Sequence, residues 1–333
     1  MDFGFLFNNF AQLTITGLAL GAIYALVALG YTMVYGVLQL INFAHSEVFM
    51  YGTFAVAWVV TWIHGTSSSS QGLGSSLPIL GVCLVAAMVT SALIALLVER
   101  LAYRPLIKRG APKLVILISA IGASFSLAEL MGLRDRVAGW FGLDSKLGNY
   151  VAQARNVYSA PITINPHRVF TLGGYGVTDV DLLVIFSALL MMFALDQFVR
   201  RTRLGRGIRS VAQDPEAAVL MGVNSTRVIR TTFLIGGIMA GVAATLYMIR
   251  IGSTRNDAGF LIGVKAFTAA VMGGIGNLRG ALVGGLALGV LQNWGAAVFG
   301  TQWQDVVAFV VLVLLLLVRP TGILGESLGK ARA

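Results

Sequence analysis

The amino-acid sequence predicts an all-α polytopic membrane protein, a bundle of about 8–10 transmembrane helices that includes broken or re-entrant helices. Of its 333 residues, 57% are hydrophobic and only 11% are charged. The mean hydropathy is +0.82, so the chain has more apolar surface than a soluble domain of this size can bury. Residues 1–333 are therefore predicted to form a single transmembrane domain.

Runs of about 20 apolar residues are long enough to cross a bilayer as helices. Nine candidates follow one another along the chain: Gln12–Tyr35, Glu47–Ile63, Leu77–Val98, Leu114–Met131, Leu182–Val199, Val228–Ile249, Gly263–Ile275, Gly280–Phe299 and Val306–Val318. The runs that begin at Gly263 and Val306 are short, so eight or ten crossings stay open if a short run is re-entrant. The first run has no basic residue before it and no cleavage site, which predicts a retained helix and not a signal peptide.

The distribution of basic residues predicts the orientation. Residues 99–113 contain five Lys and Arg, residues 200–230 contain seven, and the tail contains Arg319, Lys330 and Arg332. These three regions are assigned to the cytoplasm, with the N-terminus outside and the C-terminus inside. The net charge of +10 then reflects contact with anionic lipid, and a nucleic-acid partner is excluded.

The loop of residues 132–180 is predicted to be extracytoplasmic. It contains an amphipathic piece around Trp140 and a turn-rich piece from Pro161 to Gly176, which together could form a lip where a delivering partner docks. The alternative is a simple interfacial connector, anchored by the aromatic rings of Trp140, Phe141 and Tyr150.

Several of the forty glycines recur four residues apart. The pairs are Gly17 with Gly21, Gly237 with Gly241, Gly280 with Gly284, and Gly285 with Gly289. This spacing places both small residues on one helix face and allows close approach of helix backbones in lipid. A tightly packed bundle is expected.

Two segments interrupt the apolar pattern, one in each half of the chain. Interrupted segments in corresponding halves favour a solute path built from discontinuous helices. The candidate pathway residues are Asn42, Phe43, His45, Ser46, Glu47, Gly273, Gly274, Gly276 and Asn277. The alternative for the first segment is a helix end at the membrane surface, where its polar groups only fix a bend.

A short helix is predicted outside the membrane, within the basic loop of residues 200–227. Asp214 suits the N-cap, Pro215 the first helical position, Glu216 the positive end of the helix dipole, and Gly222 a left-handed terminus. An ordinary cytoplasmic connection with one turn of helix is the alternative.

The sequence contains no pattern typical of catalysis. The nearest approach to a phosphate-binding loop, residues 325–331, has the wrong glycine spacing, and Ala331 stands where a magnesium-binding hydroxyl is needed. Three scattered histidines and the single Cys83 exclude a compact metal cluster and an intramolecular disulfide. No catalytic residue, metal site or bound cofactor is therefore predicted, and the chain is not expected to be an enzyme.

Other segments resemble the LivH-type permeases of branched-chain amino acid ABC importers. The similar segments are residues 21–36 (GAIYALVALGYTMVYG), 41–45 (INFAH), 99–106 (ERLAYRPL), 118–122 (ISAIG) and 265–276 (KAFTAAVMGGIG). The resemblance covers nearly the whole chain outside residues 132–180. Ser46 departs from it, since the family usually has Gly there, and the outer loop looks longer than is typical.

The resemblance implies a permease of a bacterial inner membrane that works by alternating access. Its implied partners are a second, LivM-like permease, two cytoplasmic ABC ATPases that bind ATP and magnesium, and an extracytoplasmic solute-binding protein. The family's ATPase-coupling region matches Asp214, Pro215, Glu216, Ala217, Ala218, Met221 and Gly222. Related permeases carry urea, short amides or other small organic solutes, so these stay open beside amino acids.

A self-contained secondary transporter or channel is the rival hypothesis. A proton- or sodium-driven carrier usually has carboxylates inside its spans. The candidates in this chain are Glu47, Glu129, Asp196 and Asp305, all near predicted helix ends. This placement favours a driving force supplied by other subunits.

Overall fold

A computed structural model describes residues 3–64, 69–142, 148–152, 154–159 and 162–325 of the chain. Fifteen α-helices are present among them: α1 (Phe3–Asn8), α2 (Phe10–Leu38), α3 (His45–His64), α4 (Leu73–Val98), α5 (Arg104–Lys108), α6 (Lys113–Gly132), α7 (Arg134–Trp140), α8 (Asn149–Ala152), α9 (Asp179–Arg201), α10 (Arg203–Gln213), α11 (Pro215–Leu220), α12 (Ser225–Ile251), α13 (Ala258–Gly273), α14 (Leu278–Phe299) and α15 (Gln304–Val318). A π-helical turn, Glu99–Tyr103, joins α4 to α5, and a 3₁₀ turn, Thr301–Trp303, precedes α15.

Short strands connect some of the helices. They are β1 (Ser69–Gly72), β2 (Tyr158–Ser159), β3 (Ile162–Asn165), β4 (Arg168–Leu172), β5 (Tyr175–Thr178) and β6 (Ser253–Thr254). β1 pairs with β3 in parallel, whereas β2–β6 and β4–β5 are antiparallel pairs. Each pair has only two strands, so the fold within the described residues is all-α, as predicted.

Eight helices of the described part are long and apolar enough to cross a membrane. They coincide with eight of the nine predicted runs, including the short run at Val306, which the 3₁₀ turn extends to a span of Thr301–Val318. The ninth run lies in α13, a shorter apolar helix of 16 residues. The chain is thus a multi-pass membrane protein, and α13 is the short helix that the sequence indicated.

The chain divides into two compact units. Unit 1 comprises residues 1–39, 167–232 and 264–333, and unit 2 comprises residues 40–166 and 233–263. In unit 1, α14 packs along α2, and α9 and α15 pack beside them. In unit 2, α3 packs along α4 and also contacts α6.

Close backbone contacts explain the glycine pairs. A methyl group at Gly21 would lie 2.5 Å from the Gly285 carbonyl oxygen, and one at Gly285 would lie 2.6 Å from the Ala25 backbone. In unit 2, a methyl group at Gly241 would lie 2.6 Å from Cα of Met88. The prediction of tight glycine-mediated packing is confirmed, because these helices touch through backbone atoms.

The aromatic side chains of residues 132–180 lie in two different environments. Trp140 and Phe141 are exposed, as expected for interfacial aromatics. Tyr150 instead packs inside unit 2, with its ring 6.1 Å from that of Phe54 and 5.5 Å from that of Tyr158. These are edge-to-face ring contacts within the protein, and an anchoring role of Tyr150 at the interface stays a prediction. Pro161, which opens the predicted turn-rich piece, lies outside the described residues, as do Lys330 and Arg332 of the tail.

Candidate functional site

The first polar break lies between α2 and α3 and is buried. Asn42 is 2% exposed, His45 1%, Ser46 4% and Glu47 1%. Phe43 is partly buried, and its carbonyl accepts a 2.8 Å hydrogen bond from Ser46 Oγ. These burials show that the polar side chains point into protein, which argues against a simple helix end at the surface.

Asn42 is positioned by a residue far away in the sequence. The hydroxyl of Tyr103, in the π-helical turn, donates a 3.0 Å hydrogen bond to Asn42 Oδ1. Tyr103 is fully buried, and its ring packs edge-on against Phe233 at 5.1 Å. A π-helical turn is typical of functional positions in helices because it displaces one side chain from the regular register.

Glu47 is a buried carboxyl group with spare hydrogen-bonding capacity. Its Oε1 accepts bonds from Ser46 Oγ at 3.4 Å and Ser124 Oγ at 3.3 Å, whereas Oε2 has no hydrogen-bond partner among the described residues. Gly259 leaves room for it, since a methyl group there would lie 2.6 Å from Oε2. A buried acceptor of this kind is costly unless a ligand or water satisfies it.

The second break, between α13 and α14, is a tightly packed turn. Gly274 and Gly276 have φ angles of +105° and +95°, which favour glycine. Asn277 caps α14, because its Oδ1 accepts bonds from the backbone N–H groups of Arg279 at 3.0 Å and Gly280 at 3.2 Å. The break therefore combines left-handed backbone with a well-formed helix start.

The carbonyl groups of this break already have partners. The Ile323 N–H donates to the Met272 carbonyl at 2.8 Å, and the Leu324 N–H donates to that of Gly273 at 3.0 Å. Asn277 Nδ2 also donates to the Leu324 carbonyl at 2.8 Å. Less of this backbone is available for a polar solute than the sequence suggested, because the segment after α15 occupies it.

The two breaks belong to different units. The structure brings Asn42, His45, Ser46 and Glu47 together in unit 2, and it places Gly273, Gly274, Gly276 and Asn277 together in unit 1. That each set lines a solute path stays a prediction.

The helix predicted outside the membrane is α11. Asp214 Oδ1 accepts hydrogen bonds from the N–H groups of Glu216 at 2.9 Å and Ala217 at 3.0 Å, and Gly222 has a φ of +84°. Ala218 is buried, and its carbonyl accepts from Val223 N–H at 2.9 Å. The predicted N-cap, Pro215 as first helical residue, and left-handed glycine are all confirmed.

The tip of α11 is apolar and exposed. Leu220 is 87% exposed and Met221 85%, and Val219 is also exposed. Such a cluster on a short polar-flanked helix is typical of a contact surface for another protein.

Helix α10 supports α11, and together they form an arm of residues 202–222. Thr202 caps α10 by accepting a 2.9 Å bond from Gly205 N–H. Gly207, Ile208 and Val211 are buried in α10, which packs on α9 and α2. The arm is thus a packed extension of unit 1.

An ion-pair cluster lies where α9 leads into the arm. Asp196 Oδ1 accepts from Arg200 Nε at 2.9 Å, and its Oδ2 accepts from Arg279 Nη2 at 3.3 Å. Asp196 is largely buried, whereas both arginines are more than half exposed. The cluster ties the end of α9 to the start of α14.

The sequence matches the family model described as branched-chain amino acid transport system / permease component over residues 13–316. The chain belongs to this family.

The permease has relatives that align with 96% of its length. The high-affinity branched-chain amino acid transport system permease protein BraD of Pseudomonas aeruginosa is 41% identical over 321 residues, 96% of each chain. LivH of Escherichia coli K12, a permease protein of the same description, is 37% identical over 320 residues, 96% of this chain and 97% of the relative. A solved structure of PsaBC from Streptococcus pneumoniae in complex with Fab is 11% identical, with a TM-score of 0.46 over 96% of this chain and 97% of that chain.

Several residues of this permease escaped prediction from sequence. Tyr103 and Ser124 join the first break, and Lys265 pairs with Asp305 at 2.7 Å. Only folding brings these partners together. Helix α10 had a usable signal, because Leu204, Ile208 and Val211 recur on one face between arginines.

Proposed function

We propose that this permease is a subunit of an ATP-driven importer of branched-chain amino acids in a bacterial inner membrane. It pairs with a second, LivM-like permease and with two cytoplasmic ATPases, which bind ATP and magnesium and perform the hydrolysis. An extracytoplasmic solute-binding protein delivers the solute. The names of BraD and LivH support the solute class, and their identity over 96% of this chain supports the same task.

The exposed apolar tip of α11 is the observation that carries the coupling proposal. Three neighbouring side chains, Val219, Leu220 and Met221, are exposed on a helix that is capped at Asp214 and stopped at Gly222. The surface fits a hydrophobic groove on an ATPase subunit. The orientation follows, with this arm in the cytoplasm and the N-terminus outside.

The arm supplies a route for motion within unit 1. Closure of the ATPases displaces α11, and α10 passes the displacement to α9 and α2, on which it packs. The Asp196–Arg279 ion pair carries it on to the start of α14. Access to the solute path then alternates between the two sides of the membrane.

The double substitution Glu216→Arg with Met221→Asp tests the coupling proposal. We expect ATPase activity stimulated by the loaded binding protein to fall about tenfold or more, because an apolar contact becomes a buried charge. The measurement is ATP hydrolysis and leucine uptake by the complete complex in proteoliposomes.

A matched control is Asp135→Arg with Phe141→Asp, which makes the same two kinds of change, acid to Arg and apolar residue to Asp, with the same net charge change, at exposed positions outside the arm. It should leave stimulated hydrolysis within about twofold. Unchanged coupling in the α11 double variant would reject the proposal.

Uptake of urea or short amides in preference to leucine would reject the solute class, and uptake by the chain alone without ATPases would support a secondary transporter.

A further inference from the structure

A charged pair links α13 and α15 in unit 1 and includes no residue of the second break or of the arm. Lys265 is the single ionisable residue of α13, and its Nζ lies 2.7 Å from Asp305 Oδ1 in the first turn of α15. The side chain of Lys265 is 16% exposed and that of Asp305 55%. Ionised groups in membrane-spanning segments are rare and typically mark solute or ion pathways.

Unused hydrogen-bonding groups surround this pair. The Tyr24 ring centroid lies 5.8 Å from Lys265 Nζ, and Gln292 lies beside the Tyr24 hydroxyl. Gln292 is 1% exposed, and apart from this contact with Tyr24 its amide has no hydrogen-bond partner among the described residues. One turn beyond Lys265, the fully buried Thr268 hydroxyl also has none within that part of the chain. The cluster thus offers a cation, an anion and polar groups that a small ligand would satisfy.

The exposure of Asp305 shows how a solute would reach the cluster. A carboxylate that is more than half exposed cannot face lipid tails, since it would lose its hydration. Since it stands in the first turn of α15, it therefore faces water, lipid head groups or another protein surface. Apolar residues follow it through the rest of α15, so the polar surface of this helix is confined to its first turn.

The cluster lies toward the end of unit 1 remote from the arm. Asp196 and Arg279 mark the arm end, at the start of α14. Gln292 stands 14 residues farther along α14 by its number, which corresponds to about 21 Å along the helix. In the orientation proposed above, this is the extracytoplasmic end, where a delivered solute arrives first.

We propose that Lys265, Asp305, Tyr24, Gln292 and Thr268 form a binding site for the zwitterionic head of an α-amino acid. Lys265 donates to the solute carboxylate, Asp305 accepts from the solute ammonium, and Gln292 supplies a donor and an acceptor. The Lys265–Asp305 pair matches a zwitterion because both present opposite charges a few ångströms apart. This inference rests on the proposed function and deepens it, because it assigns the residues that recognise the solute class.

The test measures binding of radiolabelled leucine to the complete complex in nanodiscs without the solute-binding protein. The competitors are isoamylamine, which lacks the carboxylate, and isocaproate, which lacks the ammonium. The wild-type complex should prefer leucine to either by about tenfold or more, as expected for a lost charge-assisted hydrogen bond.

Two variants should each lose discrimination against a different competitor. Lys265→Met should weaken leucine binding about tenfold and abolish the discrimination against isoamylamine alone. Asp305→Asn should abolish the discrimination against isocaproate alone. Lys265→Arg keeps the charge and should retain both preferences. A merely structural role would lower binding of all three compounds together, so this crossed pattern separates recognition from packing.

The control is Asn293→Leu, which removes the neighbouring amide that donates to Leu13 O at 3.3 Å and Thr16 Oγ1 at 3.0 Å. It should leave the pattern of preferences unchanged. Absence of leucine binding to the wild type, or unchanged preferences in Lys265→Met and Asp305→Asn, overturns the site. ATP-driven leucine uptake by the wild-type complex with its binding protein is measured in parallel, so its loss identifies a failure of the proposed function itself.

Discussion

Single residues in the first break show how buried polar groups find hydrogen-bond partners in this protein. Asn42 accepts from Tyr103, and Glu47 accepts from Ser46 and Ser124. Each bond partly compensates the desolvation of its acceptor. The remaining acceptor, Oε2 of Glu47, lies against Gly259 and has no hydrogen-bond partner among the described residues; that it binds a polar solute stays a prediction.

Asn42→Leu tests the pathway prediction at this scale. The substitution keeps the branched shape and the number of side-chain heavy atoms but removes the amide, and we expect leucine uptake by the complete complex to fall about tenfold. Tyr103→Phe removes only the hydrogen bond that holds the amide, so it should lower stability by ~1 kcal/mol and uptake by about twofold. Uptake and thermal unfolding are measured on both. Equal effects of the two variants on uptake would show that Asn42 only fixes the bend.

Side-chain caps fix where the two helices of the arm begin. Asp214 binds two backbone N–H groups of α11, and Thr202 does the same for one in α10. A six-residue helix such as α11 is too short to be stable by propensity alone. Its cap and its packed neighbour therefore hold the apolar tip in place.

Asp214→Ala is expected to weaken α11 by ~1 kcal/mol, because two N–H groups lose their acceptor. Hydrogen exchange of the amides of Glu216 and Ala217 should become faster, and ATP-driven uptake should fall while the complex still assembles. Asn9→Ala is the control, since Asn9 precedes α2 without a side-chain cap bond. Unchanged exchange at Glu216 would contradict the structural role of the cap.

Across the whole molecule, small residues determine how the helices pack. Lipid supplies no hydrophobic force between helices, so backbone contact must supply much of the attraction. Gly17 and Gly21 meet α14 in unit 1, and Gly237 and Gly241 meet α4 in unit 2. In both units, therefore, a glycine pair allows close backbone contact between helices.

Gly241→Leu should disrupt unit 2, because even its first added carbon would lie 2.6 Å from Cα of Met88. We expect a loss of folded yield and a destabilisation of about 3 kcal/mol or more, since backbone atoms cannot move aside like a side chain. Gly122→Leu is the matched control, because no atom lies within 4 Å of a carbon added there. Size-exclusion profiles and thermal unfolding distinguish them, and similar behaviour of both variants would refute the packing argument.

The sequence by itself determined what depends on neighbouring residues or on composition. Apolar runs located the membrane-spanning helices, glycine spacing predicted their contact faces, and Asp214, Pro215 and Gly222 delimited α11, since caps and turns act over a few residues. Similar local segments also identified the permease family, which the match over residues 13–316 confirmed.

Only the tertiary structure decided which distant polar groups meet. Tyr103 lies 61 positions from Asn42, and Lys265 and Asp305 stand on different helices. Tyr150 likewise meets the rings of Phe54 and Tyr158 only in the folded chain. Hydrogen bonds and ion pairs depend on distance and direction in space, and periodicity along the chain contains neither. For the same reason the segment after α15, which occupies the carbonyl groups of the second break, could not be foreseen.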